Sequence, residues 1–296
     1  MRITSYNVVL LISTIILSLV LLQLYRRKQS AEQPVELFDF PHHIPRRSKQ
    51  EEEVRNGVPL VIYQSWKSHE VPKEMRDNIL RLLETNPEFD YYLYSDEECA
   101  AFIADNYDKD VLAAFHALKP GAFKSDLWRY CILYKLGGVY LDIKHYSTVP
   151  LIKIIDENQT IFVRDADSYI YQAISGDFSS QICIYNGFMV SPPKNEIFKL
   201  CIDDIVKSYK QRSYNRNILD VTGPCMLGRI IEEEYTSEYY KNSKFTYTSS
   251  FIHGPSISYG DTIILKEYTS YRSEQTRTSK NSHYSILYLK HDIYNI

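Results

Sequence analysis

The longest run of apolar residues lies near the N-terminus, where residues 8–25 (VVLLISTIILSLVLLQLY) contain no charged side chain. As a helix that rises about 1.5 Å per residue, this run reaches about 27 Å, close to the hydrocarbon thickness of a bilayer. A cleaved signal peptide has a shorter apolar region and small residues at its cleavage site, whereas Arg26 and Arg27 follow here. The pattern predicts a short tail over residues 1–7 and an uncleaved transmembrane anchor over 8–25.

The next segment, residues 26–57, is polar, charged and interrupted by prolines, and it has no sustained periodicity. Such a composition is typical of a stalk between an anchor and a domain. His42 and His43 lie in this segment, and we interpret them as solvated side chains rather than metal ligands. The folded domain is predicted to span residues 58–296.

From residue 58 onward the apolar positions follow strand and helix periods in turn. Residues 58–66 (VPLVIYQSW) and 89–94 (FDYYLY) predict strands, and residues 72–87 between them predict a helix. Ser95, with Glu98 three residues later, forms a capping box that begins another helix. This order predicts a single α/β domain with a central, mostly parallel sheet.

Composition narrows the choice of partners. The net charge of −3 and the pI near 6.3 provide no basic surface for nucleic acid, so we expect no nucleic-acid partner. The five cysteines lack the short paired spacing of zinc or redox motifs, and they leave the redox compartment open. The 26 tyrosines are more typical of biased composition and packing than of a sugar-stacking surface.

The centre of the chain, residues 121–138 (GAFKSDLWRYCILYKLGG), predicts a helix that ends at Gly137. Asp126 and Arg129 are three residues apart and share a face, either as a surface ion pair or as one wall of a cleft. A short apolar strand follows and ends on Asp142, the position where open α/β sheets bind ligands. Two residues later, Lys144 occupies the position that a second acid would need to complete an Asp-x-Asp pair.

Four segments carry a family resemblance: IYQSW, FKSDLWRYCILYKLGGVYLDI, NGFMVSPPKNEIF and TGPCMLGR. They resemble successive blocks of the DXD-containing sugar transferases of glycosyltransferase family 32, over most of residues 58–229. This family includes yeast Golgi α-mannosyltransferases and mannosyltransferases that act on inositol phosphoceramide. The resemblance implies a GT-A-like fold, a nucleotide-sugar donor and retention of the anomeric configuration.

The resemblance also implies roles for the matching residues. Asp126 would face the hydroxyls of the donor sugar, Arg129 its phosphate side, and Asp142 would be the first acid of the DXD motif. The implied catalytic set is Asp126, Arg129, Asp142, Lys144 and Asn186. The implied donor-binding set is Tyr63, Gln64, Trp66, Asp126, Arg129, Asp142, Lys144, Thr222 and Gly223. Trp66 is equally compatible with core packing, and the Thr-Gly-Pro turn with a purely structural role.

Lys144 is the departure from the family pattern. In one interpretation its ammonium replaces the metal ion and stabilises the leaving diphosphate as a fixed positive charge. In another, Asp142 alone anchors Mn²⁺ or Mg²⁺ while Lys144 points elsewhere. Strand alternation places both side chains on the same side, which favours the first interpretation. Loss of activity is the third alternative.

The sequence therefore predicts a membrane-anchored retaining transferase that moves a hexose, above all mannose, from a nucleotide sugar such as GDP-mannose or a UDP-hexose. The expected acceptor is a glycan or a glycolipid such as inositol phosphoceramide. The alternative is a catalytically silent membrane protein that binds sugar or glycolipid.

We expect a Golgi or equivalent membrane, with the domain in the lumen. The sequon at residues 158–160 supports a lumenal domain, whereas the charges of residues 26–28 favour the opposite orientation.

Overall fold

The computed structural model describes residues 35–48, 52–166, 182–234, 244–250, 254–279 and 282–295. The helices are α1 (Lys73–Thr85), α2 (Asp96–Asn106), α3 (Lys109–Ala117), α4 (Gly121–Leu136), α5 (Leu151–Glu157), α6 (Glu196–Gln211), α7 (Pro224–Glu234), α8 (Tyr271–Thr278) and α9 (Tyr284–Leu289). The strands are β1 (Leu37–Asp39), β2 (His43–Ile44), β3 (Val54–Arg55), β4 (Val58–Pro59), β5 (Val61–Ser65), β6 (Glu70–Pro72), β7 (Asp90–Tyr94), β8 (Gly138–Leu141), β9 (His145–Ser147), β10 (Ile161–Asp165), β11 (Ile184–Ser191), β12 (Phe245–Ser250), β13 (Gly254–Tyr259) and β14 (Thr262–Glu267).

The predicted membrane anchor, residues 8–25, lies outside the described residues. Within the described ranges, no helix has the length and apolar character that a membrane span requires.

A ten-stranded mixed sheet forms the centre of the domain, in the order β2-β7-β5-β8-β11-β10-β12-β13-β14-β9. In the described residues its parallel pairs are β5–β7, β5–β8 and β10–β12, and the other pairs are antiparallel. The α/β class is confirmed, but the prediction of a mostly parallel sheet is wrong. Parallel neighbours need long crossovers such as the helical connection from β5 through α1 to β7, whereas β13 and β14 are joined by a tight turn and pair antiparallel.

Part of the segment predicted as a stalk belongs to the folded domain. Residues 35–48, which we call the N-terminal strap, contribute β1, which pairs with β6, and β2, which pairs with β7. Phe40 between these strands is 4% exposed and packs edge-on against Tyr91. The strands have only three and two residues, so the sequence offers too few alternating positions for a strand to be recognised.

Two apolar cores lie on opposite faces of the sheet. Helices α2, α3, α4, α6 and α7 pack on one face, around the fully buried Trp128. Helices α1 and α5 pack on the other, where Ile62 of β5 and Leu141 of β8 are buried. Because adjacent strand residues point to opposite faces, Tyr63 enters the first core while Ile62 enters the second.

The turn at residues 142–144 joins two strands that are far apart in the sheet order. β8 lies in the middle of the sheet, whereas β9 lies at its edge, paired with β14. The connection spans at most about 14 Å, so the strands between β8 and β9 must curve until the edge returns to the centre. Side chains of β14 and α8 are thereby brought beside Asp142, although more than a hundred residues separate them in the chain.

Candidate active site

Asp126 on α4 is held at the centre of a buried polar network. Thr222 donates its hydroxyl to Asp126 Oδ2 at 2.7 Å, and the Asn186 amide donates to Oδ1 at 2.9 Å. Burial raises the pKa of Asp126 to about 6, although the charge of Arg129 and the hydrogen bond from Thr222 oppose this rise. Because its side chain is only 11% exposed and both oxygens accept hydrogen bonds, Asp126 fixes the positions of its neighbours in this conformation.

Arg129 connects this network to the end of β8. Its Nη2 lies 3.3 Å from Asp126 Oδ1 and its Nη1 lies 3.4 Å from Asp142 Oδ1. Nη1 also donates to the Asn186 carbonyl at 2.7 Å, and the guanidinium stacks 4.4 Å from the ring centre of Tyr140. One turn of α4 therefore holds the two predicted acids at fixed positions through a single buried cation.

Asp142 and Lys144 form the most accessible pair of the predicted catalytic set. Lys144 Nζ lies 3.3 Å from Asp142 Oδ2 and 3.9 Å from Glu267 Oε2 on β14. The rings of Tyr185 and Tyr271 flank the ammonium, with centres at 5.6 and 5.8 Å. The turn of residues 142–144, in which His145 N donates to Asp142 O, brings the two side chains together, rather than continued strand alternation.

Two cations keep Asp142 ionised. Burial alone would raise its pKa, but the positive charges of Arg129 and Lys144 hold the pKa of Asp142 well below its usual range. Tyr140, two residues earlier on β8, also donates its hydroxyl to Asp142 Oδ1 at 2.9 Å. At neutral pH the site is therefore an ionised carboxylate between two cations.

Gly187 permits this arrangement because β11 passes directly against Asp142. A Cβ atom at position 187 would lie 2.5 Å from Asp142 Oδ2 and 2.5 Å from the Tyr185 hydroxyl. The backbone carbonyl of Gly187 accepts a hydrogen bond from Asp142 N at 2.9 Å. The glycine of the Asn-Gly pair is therefore a steric requirement of the site.

The donor-binding residues predicted on β5 lie beneath the site. Tyr63 is 5% exposed and stacks with Tyr92 at a centroid distance of 5.9 Å. Gln64 is fully buried, donates to the Asp142 carbonyl at 3.2 Å and accepts from the Tyr91 hydroxyl at 2.9 Å. In this conformation Gln64 supports the turn after β8, and its role in donor binding stays a prediction.

Trp66 and Gly223 are the remaining residues of the predicted donor-binding set. The Trp66 ring is partly buried against the second core and lies 5.7 Å from Lys67 Nζ. Its indole nitrogen is buried and finds no hydrogen-bond partner among the described residues. Gly223 approaches Asp126, since a Cβ there would lie 3.4 Å from Oδ2. Both remain predictions as donor contacts.

The structure adds residues that the sequence did not indicate. Glu267 reaches Lys144, Tyr271 covers it, and Arg272 Nε lies 3.6 Å from Glu267 Oε1 while its own side chain is 64% exposed. They lie beyond residue 229, where no motif was recognised, so only the pairing of β9 with β14 could have identified them.

A disulfide bond links the start of β11 to α7 close to the site. Cys183 and Cys225 are bonded and tie the residue before β11 to the first turn of α7, close to Thr222. No spacing rule in the sequence singled out this pair.

The residues present do not fit a divalent cation beside Asp142. An ion that bridged Asp142 and Glu267 would meet the Lys144 ammonium, which already lies within ion-pair distance of both carboxylates. Like charges at this separation repel strongly in a partly buried site. A lysine also offers no lone pair while it is protonated.

Comparison with known proteins supports the family resemblance over part of the chain. Residues 72–161 match the glycosyltransferase sugar-binding region containing the DXD motif, which covers α1 to the start of β10 and includes Asp126, Arg129, Asp142 and Lys144. The solved structure of PaToxG glycosyltransferase has a TM-score of 0.43 and 13% identity, over 73% of this chain and 76% of that one.

Two curated relatives are mannosyltransferases by name. Inositol phosphoceramide mannosyltransferase 2 of Schizosaccharomyces pombe is 28% identical over 179 residues, which is 60% of this chain and 47% of the relative. Initiation-specific alpha-1,6-mannosyltransferase of Candida albicans is 29% identical over 125 residues, 40% of this chain and 32% of the relative. The matched regions thus span less than half of these relatives. Residues 72–161 of the chain match the glycosyltransferase sugar-binding region containing the DXD motif, and the resemblance found in the sequence is confirmed.

Proposed function

We propose that this protein is a retaining glycosyltransferase that moves a hexose, with mannose as the expected sugar, from a nucleotide sugar to a glycan or glycolipid. The observation that carries the proposal is the Lys144 ammonium, held 3.3 Å from Asp142 at the strand end where the family binds its donor. A buried scaffold of Asp126, Arg129 and Asn186 fixes that pair. Preorganised charge of this kind is the main contribution of an enzyme to breaking a bond with an anionic leaving group.

Positive charge for the leaving diphosphate comes from the chain itself. As the bond between the sugar and the diphosphate breaks, negative charge accumulates on the phosphate oxygens, and Lys144 stabilises it as a fixed charge. Arg272 supplies a second, largely exposed cation that shares Glu267 with Lys144. A planar guanidinium can bind two phosphate oxygens at once. This pair of cations supports transfer without a bound metal.

The role of Asp142 in this proposal is to orient both Lys144 and the donor. Its Oδ1 is occupied by Tyr140 and Arg129, whereas its Oδ2 faces Lys144 and Gly187. Its side chain is 21% exposed, enough to accept a hydrogen bond from a donor hydroxyl. In a retaining front-side displacement, the departing phosphate oxygen takes the proton of the acceptor hydroxyl, so the protein needs no separate base.

Mannose as the sugar and a glycolipid as the acceptor rest on the names of the relatives, which include inositol phosphoceramide mannosyltransferases. A lumenal domain is supported by the Cys183–Cys225 disulfide, because disulfides persist in oxidising compartments. The half-exposed sequon residue Asn158 is compatible with glycosylation there. The predicted anchor over residues 8–25 would hold the domain at a secretory membrane.

A catalytically silent sugar-binding protein is the second candidate. It is favoured by one observation: Asp142 is already neutralised by Arg129 and Lys144, so the site is balanced without a ligand. In that case the protein would bind a nucleotide sugar without cleaving it.

The test uses the full-length chain in detergent, incubated with GDP-mannose and a panel of UDP-hexoses. We expect slow release of the nucleoside diphosphate from one donor, and an Asp142→Asn variant should lose about 10²-fold or more of that rate. Asp203→Asn, a surface acid paired with Lys199, is the matched control and should retain the wild-type rate. Donor binding without release would support the silent protein, and neither binding nor release would refute both candidates.

A further inference from the structure

Two histidines and a glutamate from three separate segments meet on the surface of the domain. They are His42 of the N-terminal strap, His69 of the loop before β6, and Glu98 in the first turn of α2. His42 Nδ1 lies 3.1 Å from Glu98 Oε1, and His69 Nε2 lies 2.7 Å from Glu98 Oε2. One ligand atom of each residue lies within 4.8 Å of the other two. We call these three residues the strap cluster.

From this geometry we propose that the strap cluster binds a divalent transition-metal ion, with zinc as the best match. Two imidazoles and one carboxylate are a common zinc ligand set, in which water fills a fourth, open position. Bonds of about 2.0–2.1 Å in a tetrahedral site put ligand atoms about 3.3 Å apart. The contacts of 3.1 and 2.7 Å, which go to different oxygens of Glu98, would need to widen by about 0.2 and 0.6 Å to reach that spacing, and separations of up to 4.8 Å among the ligand atoms would need to shorten to it.

The surroundings favour a transition metal over calcium or magnesium. Two of the three ligands are nitrogens, which suit zinc, copper or nickel, whereas calcium and magnesium prefer an all-oxygen set. All three side chains are partly exposed, at 38%, 26% and 36%, so an ion and its water can reach them. The ion would replace the hydrogen bond between His69 Nε2 and Glu98 Oε2. It would also displace the proton of His42 Nδ1, which lies 3.1 Å from Glu98 Oε1 and 2.9 Å from the Leu93 carbonyl oxygen that accepts it.

Glu98 is oriented independently of any ion. Its Oε2 accepts the backbone N–H of Ser95 at 2.8 Å, in the capping box that begins α2. The capping box therefore holds the Glu98 side chain in place, with Oε1 directed toward His42. His69 Nε2 faces the cluster, 2.7 Å from Glu98 Oε2, whereas its Nδ1 is buried and meets no partner among the described residues.

The consequence of metal binding would be to fasten the strap to the domain. The strap is otherwise held by strands of three and two residues, by Phe40 and by a few side-chain contacts. An ion that binds only the assembled cluster stabilises the docked strap through mass action. The strap precedes the active-site strands in the chain, so the metal would hold this N-terminal segment against the domain.

The experiment measures metal binding by the full-length chain in detergent, after treatment with a chelator and its removal. We expect one equivalent of Zn²⁺ to remain bound through gel filtration and to raise the Tm. Co²⁺ should give the intense visible absorption of a four-coordinate site. His42→Gln, His69→Gln and Glu98→Gln should each weaken binding by more than about 100-fold, since even outer partners of a metal contribute about 10–100-fold.

The variants are chosen so that loss of binding is distinct from misfolding. Glu98→Gln keeps the capping box, because glutamine can also accept from Ser95 N, but it removes the carboxylate charge. His43→Gln is the matched control: His43 lies on the same strap and stacks on Tyr92, outside the cluster. Asp142→Asn should bind the metal normally, which separates this site from the active site.

The inference is refuted if the wild-type protein retains no zinc, or if the three cluster variants bind it as tightly as His43→Gln does. Loss of binding in Asp142→Asn but not in the cluster variants would also refute it, because the ion would then lie in the active site.

Discussion

Lys144 Nζ lies 3.3 Å from Asp142 Oδ2, so the residue that breaks the Asp-x-Asp spacing also neutralises the acid that remains. From this we predict that donor cleavage persists in EDTA, because the required positive charge belongs to the chain. Lys144→Ala should reduce the rate by about 10²-fold or more, measured as release of nucleoside diphosphate. Lys199→Ala, which removes a surface lysine of an exposed ion pair, should leave the rate unchanged.

The reverse substitution tests the same charge. Lys144→Asp rebuilds an acid pair and should recover part of its activity only when Mn²⁺ is added. Complete loss of wild-type activity in EDTA, combined with an unaffected Lys144→Ala variant, would show that the lysine has no part in the reaction.

The close approach of β11 to Asp142 predicts the effect of adding one methyl group. In Gly187→Ala the new Cβ would lie 2.5 Å from Asp142 Oδ2, so the carboxylate must move. We expect about a 10²-fold loss of rate, the scale for losing one preorganised contact. Gly121→Ala is the control, because no atom lies within 4 Å of its added Cβ. Equal rates for the two variants would contradict the proposed positioning role of β11.

The network around Asp126 predicts an acid limit to activity. Its pKa of about 6 means that the Asp126 carboxylate gains a proton as the pH falls through that value. The protonated group then accepts the hydrogen bonds from Thr222 and Asn186 more weakly. The rate should therefore fall below about pH 6. Thr222→Val removes a hydrogen bond that lowers this pKa, so the acid limb should move upward by about 1 pH unit.

The control for this shift is Thr148→Val, whose hydroxyl bonds the Ile263 carbonyl on the surface. Its pH profile should match that of the wild type. A Thr222→Val profile that moves to lower pH would show the opposite sign and rule out this network as the source of the limit.

The disulfide predicts both a chemical and a thermodynamic result. Thiol labelling under denaturing conditions should find three free cysteines, Cys99, Cys131 and Cys201, and five after reduction. For a sequence separation of 42 residues, loop closure predicts about 4 kcal/mol of stabilisation. In denaturant titrations, the double variant Cys183→Ala/Cys225→Ala should lose most of that free energy of unfolding. The control variant Cys201→Ala should keep the disulfide and show four reactive thiols after reduction.

Membrane orientation is tested at Asn158. If the domain is lumenal, expression in a eukaryotic secretory cell should give a glycosidase-sensitive mobility shift that Asn158→Gln abolishes. In the present conformation the Asn158 amide donates to the Ile154 carbonyl at 3.0 Å, a contact that a glycan would replace at the end of α5. Absence of the shift, together with digestion of the domain by protease from the cytosolic side, would reverse the orientation.

Short-range sequence patterns determined several helices of this protein and the contacts between residues that are close in the chain. The helix at α1, the capping box of Ser95 and Glu98, and the helix ending at Gly137 follow from residues within one or two turns of each other, and all are present. The meeting of Asp126 with Arg129, and of Asp142 with Lys144, also follows from short spacing. Interactions between neighbours in the chain can be deduced from helix and turn geometry.

The contacts between distant segments were decided only by the tertiary structure. Glu267 beside Lys144 depends on the pairing of β9 with β14, and Gln64 beneath Asp142 depends on the neighbouring positions of β5 and β8. His42 had the sequence context of a solvated stalk, yet two strands of three residues or fewer place it against Glu98. Such pairings depend on the sum of many weak long-range contacts, and no short window of sequence contains that information.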